Sequence, residues 1–346
     1  MIRCAVVPPV PVPYREPLFA ALAGAPDLSL RVIYQSARQP SWDAPDAWFP
    51  DAHPYDAEHL RAWQRGRAGG TPIIWPRGLE RALRRFDPDV VVVWEYGPAS
   101  LRTLAWCRRR GRGYVIFSEC TPQIERQLSP RHLALQRRLA RRADACIAAS
   151  SAARERFLRM GVPAERVEVS VQSADVARLR EIARPAPDPS AASRPLRFLT
   201  VGRLVPDKNL ARLIDAFAAA GLNAGRAQLT VHGIGPLREQ LAAHAARAGV
   251  DVRFRGHASP EQLVDAYAEA DVFVLASTFE PFGVVVREAA ASALPIVCSR
   301  LAGAAGDVAV AGENALLVDP FDVADIARAL RAVADDPALR ARLGAR

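Results

Sequence analysis

Twice along this chain, short apolar runs rich in β-branched residues alternate with stretches of helical periodicity, and that alternation leaves few folds open. In the first half the strand-like runs are Ile2–Val7, Leu30–Tyr34, Val90–Trp94, Tyr114–Phe117, Ala145–Ala148 and Val167–Val171. In the second they are Leu196–Val201, Gln228–His232, Val252–Arg255, Val272–Leu275, Ile296–Cys298 and Ala315–Val318. Helical periodicity marks Leu79–Phe86, Arg131–Arg142, Leu210–Ala220, Gln262–Ala270 and Val284–Ala293. Strands apolar on both faces belong between helix layers, so each half predicts a parallel sheet covered on both sides. Arg184–Pro195 has four prolines and no periodicity, which reads as a linker. The expected fold is therefore α/β, with two doubly wound parallel-sheet domains, 1–183 and 196–346, facing across a cleft. A chain of 346 residues is also too long for one ordinary core.

Charge divides the two halves. The formal net charge is +9, and residues 1–183 carry all of it, with 28 Arg against 19 Asp and Glu. Such a one-sided excess points to an anionic partner (lipid head groups, nucleic acid or an acidic acceptor) or to solubility alone. In Arg131–Arg142, five arginines interleave with Leu133, Leu135 and Leu139. That pattern suits a basic helix resting on an anionic membrane surface, or core leucines under a solvated basic face. Nucleic acid is disfavoured, because no aromatic stacking platform accompanies the arginines. No apolar run approaches the ~20 residues of a membrane span. Met1–Val7 leads into Pro8-Pro9 without a cleavage site, which reads as a first strand rather than a signal peptide. The five cysteines lack metal-ligand or C-x-x-C spacing, so reduced thiols and a cytoplasmic setting are expected.

The sharpest local signal is Thr200-Val-Gly-Arg-Leu-Val-Pro-Asp-Lys-Asn-Leu210. A strand ends at Val201, Gly202 turns the chain, and a helix begins near Lys208. Arg203 and Lys208 thus meet beside a helix N-terminus, where anions are favoured. Lys208 is the only lysine beside 45 arginines. A compact ammonium on a flexible stem differs in use from a planar guanidinium. The second signal is Glu280-Pro-Phe-Gly-Val-Val-Val-Arg-Glu288, placed after a strand and opening a helix. Gly283 permits close backbone approach, and the amides of Gly283, Val284 and Val285 can meet phosphate or sugar oxygens. Glu280 and Glu288 can accept from sugar and ribose hydroxyls. Glu288, in an otherwise apolar stretch, needs a partner if buried.

Arg-x4-Lys and Glu-x7-Glu, each at the right point of a βα unit, resemble the family 4 retaining glycosyltransferases of the GT-B fold. His232–Pro236 (HGIGP), Val252–His257 (VRFRGH), the run Ala270–Leu275 and Gly312–Val318 (GENALLV) extend the likeness. The resemblance implies a hexose-type sugar moved from a nucleotide diphosphate donor to a glycan, lipid-linked or small-molecule acceptor. It implies front-face displacement with retention, without a metal or other cofactor. Gly202, Arg203 and Lys208 would bind the diphosphate, and Glu280, Phe282 and Gly283 the sugar. Glu288 would take the ribose, and backbone around Gly256 would flank the base. Polysaccharide or glycolipid assembly at the inner face of a membrane is the usual setting of such relatives.

The first half departs from the family pattern. In place of a glycine-rich loop after the first strand stand Pro8–Pro13, Tyr14 and Arg15, which suggests an acceptor-facing loop built on Tyr14 and Arg15. In place of a strand-end His stand Trp94-Glu95-Tyr96-Gly97, with a second strand-end acid at Glu119. Either Glu95 or Glu119, beside Tyr96, can orient or deprotonate an acceptor hydroxyl; a structural carboxylate is the equal alternative. The family's terminal crossover helix is expected to be missing. Asp87-Pro-Asp89 copies the metal motif of another glycosyltransferase fold but precedes its strand, the wrong end for a ligand. An epimerase or hydrolase of the same fold, or a non-catalytic nucleotide-sugar or anionic-surface binder, remain the other classes.

Overall fold

In the computed structural model, β1 (Ile2–Val7) sends Ala5 and Val7 into one apolar cluster and Cys4 and Val6 into another. A strand buried on both faces in this way needs a layer on each side. The structure describes residues 1–40, 48–66, 72–174, 176–182, 194–223 and 225–345. After β1 come α1 (Glu16–Ala23), β2 (Leu28–Tyr34), β3 (Ala57–His59), β4 (Ala62–Arg65), β5 (Ile73–Pro76) and α2 (Leu79–Phe86). There follow β6 (Val90–Trp94), α3 (Pro98–Arg110), β7 (Gly113–Ser118), α4 (Pro130–Arg141), β8 (Ala145–Ala148), α5 (Ser151–Arg159) and β9 (Val167–Val169). The order across the sheet is β3-β2-β1-β6-β7-β8-β9, all parallel. The winding reverses between β1 and β6. β4 and β5 form a separate antiparallel pair, with Trp63 opposite Trp75.

Beyond α6 (Ala177–Arg180), the second sheet comprises β10 (Leu196–Val201), β11 (Ala227–His232), β12 (Asp251–Gly256), β13 (Val272–Leu275), β14 (Ile296–Ser299) and β15 (Ala315–Val318). Its helices are α7 (Leu210–Ala219), α8 (Arg238–Ala248), α9 (Pro260–Glu269), α10 (Val284–Ala291), α11 (Val323–Asp335) and α12 (Pro337–Gly344). The strand order is β12-β11-β10-β13-β14-β15, again parallel, with the reversal between β10 and β13. Such a reversal opens a crevice at the carboxyl ends of its two strands, the place where doubly wound sheets bind ligands.

The chain divides into two compact units, Met1–Ala174 and Asp175–Arg346, and the parallel-sheet α/β architecture read from the sequence is present in both. α6 falls within the expected first domain but stands with the second unit, where it packs on α9 and α10 and Arg178 pairs with Glu261 at 3.2 Å. The expected linker lies outside the described residues except for Arg194 and Pro195. Asp87 and Asp89 precede β6 and both pair with Arg112 at 2.9 Å, so they fasten the amino end of the sheet.

Candidate active site

In the second unit, the two sequence motifs meet at the reversal. β10 ends at Val201 and β13 at Leu275, so Lys208 and Glu280 leave from adjacent strands. Lys208 ends a short 3-10 turn, Pro206–Lys208, rather than opening a helix; α7 starts two residues later. The Lys208 ammonium is paired with the Glu280 carboxylate, and both side chains are largely buried. The Ser277 hydroxyl donates to the same Glu280 oxygen at 3.4 Å. Charges withdrawn from water are kept only when compensated, and here each compensates the other. Gly202 makes this possible: a Cβ there would lie 3.2 Å from Lys208 Cε. Arg203 stays exposed beside it.

Five hydrogen bonds hold the segments around this pair in place. The Asn209 side chain, buried, donates to the carbonyls of Ala276 at 2.9 Å and Pro320 at 2.7 Å. The Thr278 amide donates to Asp207 O at 2.9 Å. On the far side, Gly303 N donates to Glu280 O at 3.0 Å and Ala304 N to Phe282 O at 2.8 Å. Gly303 has no alternative here, since a Cβ would lie 1.9 Å from the Pro281 carbonyl oxygen. Phe282 is buried, and Gly283, at φ +94°, turns the chain into α10. Gly283, at the N-cap, brings no side chain to the start of α10, so the amides of Val284 and Val285 remain as donors that an anion or a hydroxyl could meet.

Glu288 lies one helical stretch further along α10. Its carboxylate accepts from the buried Tyr267 hydroxyl at 2.7 Å, which supplies the partner the sequence called for. Burial pushes its pKa up, against the lowering effect of that hydrogen bond. Gly256 ends β12, and its carbonyl accepts from Gly233 N at 2.7 Å, tying the loops after β11 and β12 together.

In the first unit the reversal lies between β1 and β6, and again named residues gather there. Arg15, expected on an acceptor-facing loop, is buried, 7% exposed. Its guanidinium stands 4.6 Å from the Trp94 ring and 5.3 Å from the Tyr14 ring, which draws it inward by cation–π attraction. Its Nη2 donates to Glu119 Oε1 at 2.5 Å, and Trp94 Nε1 donates to the same oxygen at 3.2 Å. Glu95 has both oxygens engaged, accepting from the Ser118 hydroxyl at 2.8 Å and the Glu119 amide at 2.6 Å. It adopts a left-handed φ of +57°, and burial followed by the nearby Glu119 charge pushes its pKa up. Glu95 thus fixes the loop that carries Glu119, whereas Glu119 Oε2 has no hydrogen bond among the described residues. Tyr96 is half-buried and its hydroxyl has no hydrogen-bond partner among the described residues.

Sequence reasoning missed a third cluster. His53 Nδ1 meets Glu16 Oε2 at 2.8 Å, and His53 Nε2 meets His59 Nε2 at 2.8 Å. Tyr55 donates to Glu16 Oε1 at 2.8 Å and lies 2.8 Å from the Tyr34 hydroxyl. This group clamps the start of α1, immediately after Arg15. His53-x-Tyr55 and His59 are visible in the sequence, but no local pattern says that they gather at Glu16. On α4, Leu139 is buried and Leu135 packs on the core, so the apolar face of the basic helix is turned inward. Arg137, Arg138, Arg141 and Arg142 remain exposed around a shallow hollow.

Residues 186–346 match the family model described as glycosyl transferases group 1, and residues 30–177 match glycosyltransferase family 4. The chain is 36% identical over 160 residues to glycogen synthase of Mycobacterium tuberculosis, covering 44% of this chain and 38% of that enzyme's length. It is 27% identical over 315 residues to a GDP-mannose-dependent alpha-(1-6)-phosphatidylinositol monomannoside mannosyltransferase of Mycolicibacterium smegmatis, covering 85% of this chain and 81% of that one. Anabaena HepE, solved in complex with UDP, superposes with a TM-score of 0.77 at 19% identity, over 99% of this chain and 93% of that one. With both halves matched by these two models, the chain belongs to the family 4, group 1 glycosyltransferases and has the GT-B fold.

Proposed function

We propose that the protein transfers a hexose-type sugar, with retention, from a nucleotide diphosphate sugar to a glycan, lipid-linked or small-molecule acceptor. The observation that carries this reading is the Lys208–Glu280 pair at the β10/β13 reversal, set beside the uncapped start of α10. Donor diphosphate would draw the Lys208 ammonium and Arg203 to itself, and the released Glu280 carboxylate would accept from sugar hydroxyls. Glu288 would take the ribose and the loop at Gly256 the base. Two cations and a row of amides supply the positive field that charge on a leaving diphosphate requires, so no metal is called for. In the first unit Glu119 would orient or deprotonate the acceptor hydroxyl, with Glu95 as its support. The relatives named above favour a nucleotide donor and a glycan or lipid-linked acceptor.

A cytoplasmic protein resting on the inner face of a membrane fits the same reading, through the exposed arginines of α4 alone. No helix among the described residues is long and apolar enough to cross a membrane. Sedimentation with anionic vesicles tests this: replacing Arg137, Arg138, Arg141 and Arg142 with Gln should abolish it, and unchanged sedimentation removes the idea. The transfer reading itself is tested by following labelled sugar from a panel of nucleotide sugars, with and without glycan and lipid-linked acceptors, in EDTA. Product that needs an acceptor supports it; free or rearranged sugar without one points instead to a hydrolase or epimerase.

A further inference from the structure

Arg156, on α5, is 1% exposed, yet its bonding is incomplete. Nη2 donates to Gln136 Oε1 at 2.5 Å, while Nε and Nη1 have no hydrogen-bond partner among the described residues. The carboxylate that meets it is Glu125, 3.7 Å from Nε and 36% exposed. That distance offsets charge but is too long for a hydrogen bond. A buried guanidinium with two unsatisfied donors is costly, and such groups ordinarily find acceptors.

The same corner holds further polar atoms without partners. The guanidinium lies 5.7 Å from the centre of the Tyr96 ring, and the Tyr96 hydroxyl is buried and unpaired. Thr121 Oγ1 and Gln123 Oε1 are likewise unpaired, on the segment 121–127 that packs against α5. Tyr96 follows the carboxyl end of β6 and Thr121 that of β7, the ligand-binding side of this sheet. The turn over them is lightly held, with long backbone bonds from Ile124 N to Thr121 O at 3.2 Å and from Leu128 N to Glu125 O at 3.4 Å.

We infer that this corner is an oxyanion subsite for the acceptor, in which Arg156 and Tyr96 receive a carboxylate or phosphate and Glu125 covers the guanidinium until that group displaces it. The inference rests on the acceptor-side reading of the first unit. Nε, Nη1 and the Tyr96 and Thr121 hydroxyls supply donors, and charge-assisted bonds to arginine are stronger than the loose approach of Glu125. Gln123 Oε1, an acceptor only, suits a hydroxyl of the same ligand.

Hydrogen exchange of the full chain, read over residues 119–128 and α5, tests this with inorganic phosphate, glucuronate and glucose as probes. Phosphate or glucuronate should slow exchange there and glucose should not; which anion acts distinguishes a phosphorylated from a carboxylated acceptor. Glu125→Gln should lower the half-saturating anion concentration about threefold, the order expected from removing an exposed competing charge. Arg156→Met should abolish the effect while retaining the wild-type circular dichroism; if it does not fold, the Glu125→Gln shift decides. No protection by either anion in both wild type and Glu125→Gln, protection that persists in Arg156→Met, or equal protection by glucose overturns the inference. The readout needs no donor, so its failure leaves sugar transfer standing.

Discussion

Lys208 and Glu280, 72 residues apart in sequence, are joined as an ion pair where the winding of the second sheet reverses. Neither the cation nor the carboxylate is left buried alone, and on the function proposed above an anionic ligand would draw Lys208 away from Glu280. Lys208→Ala should therefore do two things. It strands the Glu280 carboxylate, and it removes positive charge from the leaving diphosphate. Turnover at saturating donor should fall by about 10²-fold or more, as for loss of a preorganised donor. Lys208→Arg should not rescue it, because the stem passes close to Gly202 and a guanidinium is wider. Normal turnover in either variant would contradict the role.

Gly303 supports the site without being expected to touch a ligand. Gly303→Ala places a methyl 1.9 Å from the Pro281 carbonyl oxygen, so the Glu280–Phe282 loop must move. Overpacking of this kind costs about 1–3 kcal/mol. Nucleotide-sugar affinity should drop with it, measurable by calorimetry. A variant with wild-type melting and affinity would show that the loop is not held as described.

The two strand-end acids of the first unit should separate in kcat. Glu119→Gln should lower kcat under conditions where the variant is folded, and should also lower the melting temperature, because the buried Arg15 guanidinium loses its counter-charge. Glu95→Gln turns an amide donor toward the Glu119 N–H or the Ser118 hydroxyl and should destabilise the unit by about 1–3 kcal/mol, the cost of an unmet buried polar group. Kinetics and thermal melts of the two variants, side by side, check the assignment; a lowered kcat in folded Glu95→Gln but not in Glu119→Gln would exchange their roles.

The histidine cluster makes stability depend on pH. Burial, then the neighbouring His53, hold His59 below the usual histidine range. An unfolded histidine titrates near ~6.5. Below that pH the unfolded chain takes up a proton that the folded unit resists, so stability is full above ~6.5 and is lost as pH falls through the folded value. Melting temperature should drop between pH 7.5 and 5.5, and His59→Gln should flatten the drop. An equal slope in wild type and variant would remove His59 as the cause.

Much of the second unit was legible in the sequence because its chemistry and its strand ends coincide. β10, β13 and β15 begin and end where the apolar runs do, and Lys208 stood out as the sole lysine. What stayed hidden was tertiary: no local pattern says that Lys208 pairs with Glu280, or that Asn209 reaches Ala276 and Pro320. The short strands β3, β4 and β5 escaped notice because their burial alternates weakly and Trp63 is half exposed. The surroundings of Arg15 stayed hidden for a physical reason: Trp94 and Glu119, which close around it, come from distant strands. The leucines of Arg131–Arg142 could face lipid or core in sequence, and packing of Leu135 and Leu139 on the core decided between them.

The most direct test of the account is a thermal-shift panel of nucleoside diphosphates and nucleotide sugars on wild type and Lys208→Ala. Stabilisation by one base class in wild type, and its loss in the variant, is the expected result. A shift of equal size in both proteins, or none with any nucleotide, would contradict a diphosphate site at Arg203 and Lys208.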